Sequence, residues 1–389
     1  MKKKIAVINQ RYGSEVNGGS EYYTKKLAEH LSEYYNVEVL TTTALNYDTW
    51  EPFYPTGVKI ENGVYIRRFQ VERTRNIILF KVINKLVQSF PGINKILESL
   101  WIKLQGPYCP QLIAYIREHK NHYDAFIFVT YLYYTTVVGL PEVAEKAILV
   151  PTAHDEYCIY FRVYEAIFKS PKGIVYLTEE ERTFTEQLFK NHNIPHKIAG
   201  SGIDIPDHLN DEGFKEKYGI DSDYIIYVGR VDTSKKCDEL FMYFTKFNKK
   251  KRKDLKLIVV GKMMMEKPAN EQIRCLGFIS EEEKGSAIAG ARALIMPSEH
   301  ESLSLAVLEA MAIGVPVMVN GACSVLAGHC EKSGAGVTYK TYEQFEEGIE
   351  SMFQEEIVYQ EMSAAGKRYV SENYNWDSTI EKYRKLIEL

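Results

Sequence analysis

No stretch of this 389-residue chain approaches the roughly 18 uninterrupted apolar residues that a membrane-spanning helix needs, so nothing in it is expected to cross a bilayer. Cysteine is scarce: six residues, at positions 109, 158, 237, 275, 323 and 330, form no CxxC pair and no dense framework, and read as reduced thiols of a cytoplasmic protein. Twenty-five Gly and 13 Pro are too few for a collagenous or low-complexity chain. Charge of one sign is missing as well. Forty-eight Lys and Arg stand against 52 Asp and Glu, a net charge of −4, which argues against a general nucleic-acid binder. The opening MKKKIAVINQRYG has a basic start but neither an apolar run nor a small-residue cleavage site, so a signal peptide is not expected. No sequence repeat of about 20–50 residues is found. At about 150 residues per domain the length suggests two or three domains, and what remains is expected to be a soluble intracellular protein of two domains.

Two features stand above this average. Aromatic residues are plentiful, with 28 Tyr and 17 Phe. Between Arg67 and Lys120, ten Lys and Arg (67, 68, 73, 75, 81, 85, 95, 103, 117, 120) face three Glu (72, 98, 118).

Short apolar runs alternate with helix-period segments along most of the chain, the pattern of parallel strands joined by crossover helices. Residues 4–9, 37–41, 64–69, 125–129, 147–150 and 173–177 read as strands, the third entered through an Asn62-Gly63 turn. A glycine-bearing loop and a helix over residues 20–35 follow the first. Residues 198–206 look like a linker, after which strands recur at 224–228, 257–260, 273–278, 293–296 and 315–319. The expected fold is α/β: two doubly wound, Rossmann-like lobes facing a cleft. The first is residues 1–200, completed by a carboxyl-terminal helix in 375–389; the second is residues 201–374. Ligands of such sheets bind at the carboxyl ends of the strands.

Four segments could carry chemistry. In the first, a strand ends at Met296, a polar loop carries Glu299, His300 and Glu301, and a helix is expected to begin near Ser302–Ser304 and stop at Gly314. Its first turn would offer free N–H groups and the positive end of a dipole to a phosphate. Glu309 would lie about 7.5 Å along the axis, at ~1.5 Å per residue, within reach of ribose hydroxyls. The alternative is that Glu301 only complements the helix dipole and Glu309 is solvated, although Glu309 stands in a strongly apolar helix where an unpaired carboxylate is costly. The second segment, Val228-Gly-Arg-Val-Asp-Thr-Ser-Lys235, places Arg230 and Lys235 on a loop after a strand. There a guanidinium and an ammonium can neutralise a diphosphate without a metal ion, or else stand as solvated loop cations. The third, Asn17-Gly-Gly-Ser-Glu21, lets backbone at Gly18 and Gly19 approach a ligand, with Ser20 as a candidate helix cap. It is not GxGxxG, and no acid ends the second strand, which disfavours a dinucleotide site. The fourth puts His154, beside Asp155, at a strand end, where it either contacts a sugar hydroxyl or is simply structural.

Taken in order, Gly-Gly-x-Glu, His-Asp, Gly-Arg-x4-Lys and Glu-x7-Glu followed by Glu309-Ala-Met-Ala-Ile-Gly-Val-Pro, with Gly277-Phe-Ile and Tyr374-Asn-Trp, resemble glycosyltransferase family 4, the retaining GT-B glycosyl transferases of group 1. The resemblance implies a hexosyltransferase that uses a nucleotide diphosphate sugar, a UDP-sugar in preference to a GDP-sugar, with no metal and no cofactor. It implies Gly19 near the donor phosphate, and Arg230, Lys235 and the amides of Ser304 and Leu305 on the diphosphate. It further implies Glu309 on the ribose, Phe278 and Ile279 along the base, and Glu301 and His154 at the transferred sugar. This chain departs from the family where Lys235-Lys236 replaces Lys-Gly, where Glu301-Ser-Leu-Ser replaces Glu-Gly-Phe-Gly, and where Gly321–His329 replaces a Gly-Gly-x-x-Glu segment.

Residues 77–104 show a helical apolar stripe with Lys81, Lys85, Lys95 and Lys103 on the polar side. Two readings stay open. The stripe is an ordinary cover of the first lobe, or it rests on the anionic inner face of a membrane, so that the acceptor is a lipid-linked saccharide rather than a soluble glycan. Two other functions fit the same scaffold: nucleotide-sugar epimerisation, and a non-catalytic partner that binds a glycan or another transferase.

Overall fold

The computed structural model describes residues 2–89, 95–354 and 356–389. It divides the chain into two compact units, residues 1–201 with 376–389, and residues 202–375.

The first unit is built on an eight-stranded sheet. Its strands are β1 (Lys4–Ile8), β2 (Asn36–Thr42), β3 (Gly57–Glu61), β4 (Val64–Phe69), β5 (Ala125–Val129), β6 (Ala147–Val150), β7 (Gly173–Tyr176) and β8 (His196–Ile198). They lie in the order β3-β4-β2-β1-β5-β6-β7-β8. All neighbours pair in parallel except β3 with β4, a hairpin. Asn62 (φ 49°) and Gly63 (φ 76°) close that hairpin, both with the positive φ that a tight two-residue turn demands. The sequence reading placed this turn but not β3, whose residues Gly57 to Ile60 are all exposed and so lack the one-sided burial that marks a strand. The central strands Ala-Phe-Ile-Phe-Val, Ala-Ile-Leu-Val and Gly-Ile-Val-Tyr are buried along their whole length, as parallel strands covered on both faces must be.

The first helix runs Gly19–Ser32, shorter than expected, and Ser20 does not cap it. Gly18 is the N-cap residue, while the Ser20 hydroxyl donates to Glu21 Oε2 at 2.8 Å. The helix Trp376–Ile387 packs in this unit. Trp376 stacks on His30 with ring centres 4.5 Å apart, the Tyr23 and Tyr383 hydroxyls meet at 2.6 Å, and Thr379 Oγ1 donates to the Ala199 carbonyl at 3.1 Å.

The second unit has six strands, β9 (Tyr224–Val228), β10 (Lys256–Val260), β11 (Ile273–Gly277), β12 (Leu294–Met296), β13 (Val317–Asn320) and β14 (Gly336–Tyr339). Their order is β11-β10-β9-β12-β13-β14 and every pairing is parallel. Winding runs outward in both directions from the β9–β12 pair, so the topological switch point lies between these two strands. Beyond it, Gly261 (φ 137°) crosses so close to the loop after β9 that a Cβ would stand 1.9 Å from the Gly229 carbonyl oxygen; only glycine fits. β8 and β14 were not anticipated, and the helix after β12 begins at Leu305, later than expected.

Candidate active site

In the second unit, the loops that leave β9 and β12 emerge side by side at the switch point. The first carries Arg230 and Lys235, the second Glu301 and Ser304, and they are in contact: Lys235 Nζ lies 2.6 Å from Glu301 Oε1 and 3.4 Å from the His300 carbonyl. The Arg230 guanidinium pairs with the Asp232 carboxylate and donates to Ser234 Oγ at 3.1 Å. Ser234 Oγ and the Lys235 backbone N–H in turn donate to Asp232 Oδ1, at 2.6 and 3.0 Å. Asp232, which the sequence reading gave no role, therefore organises the loop. These donors and Arg230 hold its carboxyl below the usual range despite the opposing effect of burial, which is the largest single influence on it.

Of the three residues that replace glycines of the family's pattern, Lys236, Ser302 and Ser304, two keep a glycine-like backbone. Lys236 (φ 55°) and Ser304 (φ 67°) are left-handed, the conformation that the glycines of the family's pattern would adopt without strain. Ser304 is the N-cap residue of the helix Leu305–Ile313, whose first-turn N–H groups have no intrahelical acceptors, and the helix ends at Gly314 (φ 97°). The Lys236 ammonium reaches Glu299 at 3.1 Å.

Glu309 is not solvated. It is 7% exposed and bonded at 2.9 Å to Lys284 Nζ, on the helix Glu281–Ala289; Lys284 also holds Glu281 at 2.7 Å. Burial pushes the Glu309 carboxyl up and Lys284 pulls it back. Phe278 is exposed and Ile279 half-buried, just past the end of edge strand β11. The Gly321–His329 departure also has a structural role. His329 is buried; its Nε2 lies 2.8 Å from the Leu303 carbonyl, so that nitrogen carries the proton, and Nδ1 accepts from the Tyr369 hydroxyl at 3.0 Å. Asn320 Nδ2 donates to the Pro297 carbonyl at 2.9 Å. Asn320 and His329 thus brace the β12 loop from both ends. Neither was singled out as a site residue, since each meets its partner more than 20 residues away.

The other candidate residues belong to the first unit. A Cβ on Gly18 would meet Glu21 Oε2 at 2.2 Å, whereas one on Gly19 would enter open space. A side chain at Gly18 would thus displace the Glu21 carboxylate, and Gly19 is the position with room for an approaching group. Glu21, 5% exposed, fixes the loop by accepting from Gln10 and Arg11, each at 2.9 Å. His154 follows β6 and is half-buried, with Nε2 3.7 Å from Glu156 Oε1. The Asp155 carboxylate accepts from the Tyr160 hydroxyl at 2.7 Å. The backbone ahead of His154 is held by Glu181, which accepts from the N–H groups of Ala153 and Leu177, both at 2.6 Å.

Two Rossmann-like units, the second carrying paired cations and a helix N-terminus at its switch point, define the GT-B class of glycosyltransferase fold. The comparisons agree: residues 210–388 match the family of glycosyl transferases group 1, the family read from the motifs. An uncharacterized glycosyltransferase of Methanocaldococcus jannaschii is 24% identical over 193 residues, which cover 45% of this chain and 49% of that one. The chain spans about half the length of the curated relatives it matches. Among solved structures, sucrose-phosphate synthase from Thermosynechococcus elongatus superposes with a TM-score of 0.73 at 15% identity, covering 100% of this chain and 98% of that one. Anabaena HepE, solved in complex with UDP-glucose, also gives 0.73, at 13% identity and 99% and 98% coverage. At such identities the likeness is one of fold.

Proposed function

We propose that this protein is a retaining, metal-independent glycosyltransferase that moves a hexosyl unit from a nucleotide diphosphate sugar, UDP ahead of GDP, to a hydroxyl of a glycan or lipid-linked saccharide. One observation carries the reading: Arg230, Lys235 and the open first turn of Leu305–Ile313 converge on the switch point of the second unit. Two cations and free amides there suit a diphosphate leaving group, whose stabilisation supplies most of the acceleration. Glu301 holds Lys235 in place until the donor arrives and then faces the transferred sugar. Glu309 meets the ribose, Phe278 and Ile279 the base, and His154 and Gly19 act from the first unit. The UDP-glucose complex of HepE supports UDP as the base-bearing half.

The test is nucleotide release from a panel of UDP-, GDP- and ADP-sugars, with and without a lipid extract and with EDTA. Wild type should release one nucleotide, undiminished by EDTA, and Lys235→Ala and Glu301→Ala should lose the activity. The product anomer should match the donor's by NMR. Free epimer without acceptor would shift the assignment to epimerase, and no donor binding at all to a non-catalytic partner.

A lipid-linked acceptor is favoured by the helices Ile77–Ser89 and Lys95–Gln105. Ile83, Val87, Trp101 and Ile102 bury themselves in the first unit, but Ile77, Leu79, Val82, Leu86 and Leu100 stay exposed, and Ile78 and Ile96 are 79% and 83% exposed. The only acid of the two helices, Glu98, is turned inward at 1% exposure to accept from the Val163 amide at 3.0 Å. The outer face thus carries aliphatic side chains with Lys81, Lys85, Lys95 and Lys103 as its charges, complementary to an anionic bilayer surface. Residues 90–94, part of the stripe read from sequence, lie outside the described residues. No helix among the described residues is long and apolar enough to cross a membrane, so the reading is peripheral attachment at the inner membrane face. The protein should float with anionic vesicles and not with neutral ones, and Ile78→Ser/Ile96→Ser should sediment; equal behaviour in both vesicle types would remove the membrane.

A further inference from the structure

A second polar site lies on the first unit, apart from every residue assigned above. A cavity of ≈ 220 Å³ opens beside the β3–β4 hairpin, lined by Ser14, Tyr54, Thr56, Lys59, Glu61 and Arg68 among others. Arg68 is the unusual member. It stands one residue before the end of β4, opposite Thr41 on β2 and Gly57 on β3, and is only 6% exposed. Its neighbour Arg67 has a carboxylate, Glu38, at 2.7 Å. Arg68 has none among the described residues. One nitrogen donates to the Tyr12 carbonyl at 3.0 Å, the guanidinium lies 4.3 Å over the Tyr54 ring, and Nε is buried without an acceptor. The only carboxylate in the lining, Glu61, is taken by Lys59 at 3.2 Å.

A guanidinium withdrawn from water with no carboxylate in direct contact, Glu61 acting on it only from a distance, is costly, and such an arrangement suits a site where a ligand supplies further negative charge. The lining here holds two cations and one carboxylate, an excess of one positive charge. It sits at the carboxyl end of a parallel strand, the end at which such sheets bind ligands. Gly13 keeps the floor open: a Cβ there would stand 2.5 Å from the Tyr54 hydroxyl and 3.3 Å from Arg68 Nη2.

We infer that this cavity binds one anionic group, a carboxylate or a phosphate monoester, carried by the saccharide acceptor, with Arg68 as its fork-shaped donor. The assignment to the acceptor rests on the transferase reading, because the diphosphate-binding residues of that reading belong to the other unit; the anion site itself does not depend on it.

The test uses the full chain and three probes: glucose 6-phosphate, glucuronate and neutral glucose. Calorimetry should show binding of one or both anionic sugars and of glucose roughly tenfold more weakly or less, the value of a charge-assisted hydrogen bond. Which anion binds distinguishes phosphate from carboxylate. On titration the ¹⁵N signal of Arg68 Nε–H should shift, a response that a purely structural arginine would not give. Arg68→Gln should abolish the binding. Should that variant not fold, Lys59→Gln, on an exposed position, should weaken binding several-fold by freeing Glu61 to take Arg68. UDP binding, measured separately, should be the same in all variants, so a failure here is separable from a failure of the transferase reading. Binding of neither anion, or an unmoved Arg68 signal in their presence, would overturn the inference.

Discussion

Glu181 has the environment of a protonated acid at neutral pH. Full burial drives its carboxyl from 4.5 up to about 8, against the pull of the Leu177, Ala153 and Thr178 backbone hydrogen bonds. The folded state then binds this proton more tightly than the unfolded chain does. Its stabilising contribution is complete below the unfolded value and is lost as pH climbs toward the folded one. Urea titrations should therefore show wild type losing stability relative to Glu181→Gln between pH about 5 and about 8. Lys284 is the other residue that no local pattern announces. With its side chain gone, Glu309 becomes a buried carboxylate without a partner, so Lys284→Ala should cost about 2–3 kcal/mol by denaturant unfolding, the low side for breaking a buried pair because Lys284 is partly exposed. Arg230, Lys235 and Glu301 could be picked out in the sequence because each stands on a loop announced by its own strand. Lys284 could not, since it meets Glu309 from 25 residues away and looks like any lysine of an acidic helix.

At the level of elements, the loops at the switch point are bent by residues that resist bending. A left-handed backbone costs a side-chain-bearing residue roughly 1–2 kcal/mol, while glycine loses about 0.5–1 kcal/mol of unfolded-state freedom. Lys236→Gly should therefore stabilise the second unit by about 0.5 kcal/mol, and Lys236→Val, with a β-branched chain at φ 55°, should destabilise it; thermal unfolding separates the two. Strand reading succeeded where burial is two-sided and continuous, as in Ala125–Val129 and Tyr224–Val228. It failed at Gly57–Glu61, which is exposed, and at His196–Ile198, whose three residues are too few to show a period. The helix of the β12 loop was expected to begin near Ser302–Ser304, whereas Ser304 is its left-handed N-cap residue and the first turn starts at Leu305.

For the molecule as a whole, the alternation of strands and helices was enough to suggest two doubly wound sheets, because that pattern has few other solutions. Which ligand is bound is not encoded in any such pattern; on the readings proposed above it rests on single side chains, such as Phe278 just past β11 in the second unit and Arg68 on β4 in the first. The helix Trp376–Ile387 ties residues 376–389 to the first unit. Trp376→Ala should remove the stack on His30 and destabilise that unit by about 3 kcal/mol, leaving the melting of the second unlowered, as two calorimetric transitions would report.

That helix also sets an order of assembly on the ribosome. The first unit stays without the cover of Tyr23 and His30 until residues 202–375 have been translated, roughly 10–30 s at ordinary elongation rates. Through that interval, while the second unit is still being synthesised, the first waits with an apolar seam exposed to chaperones.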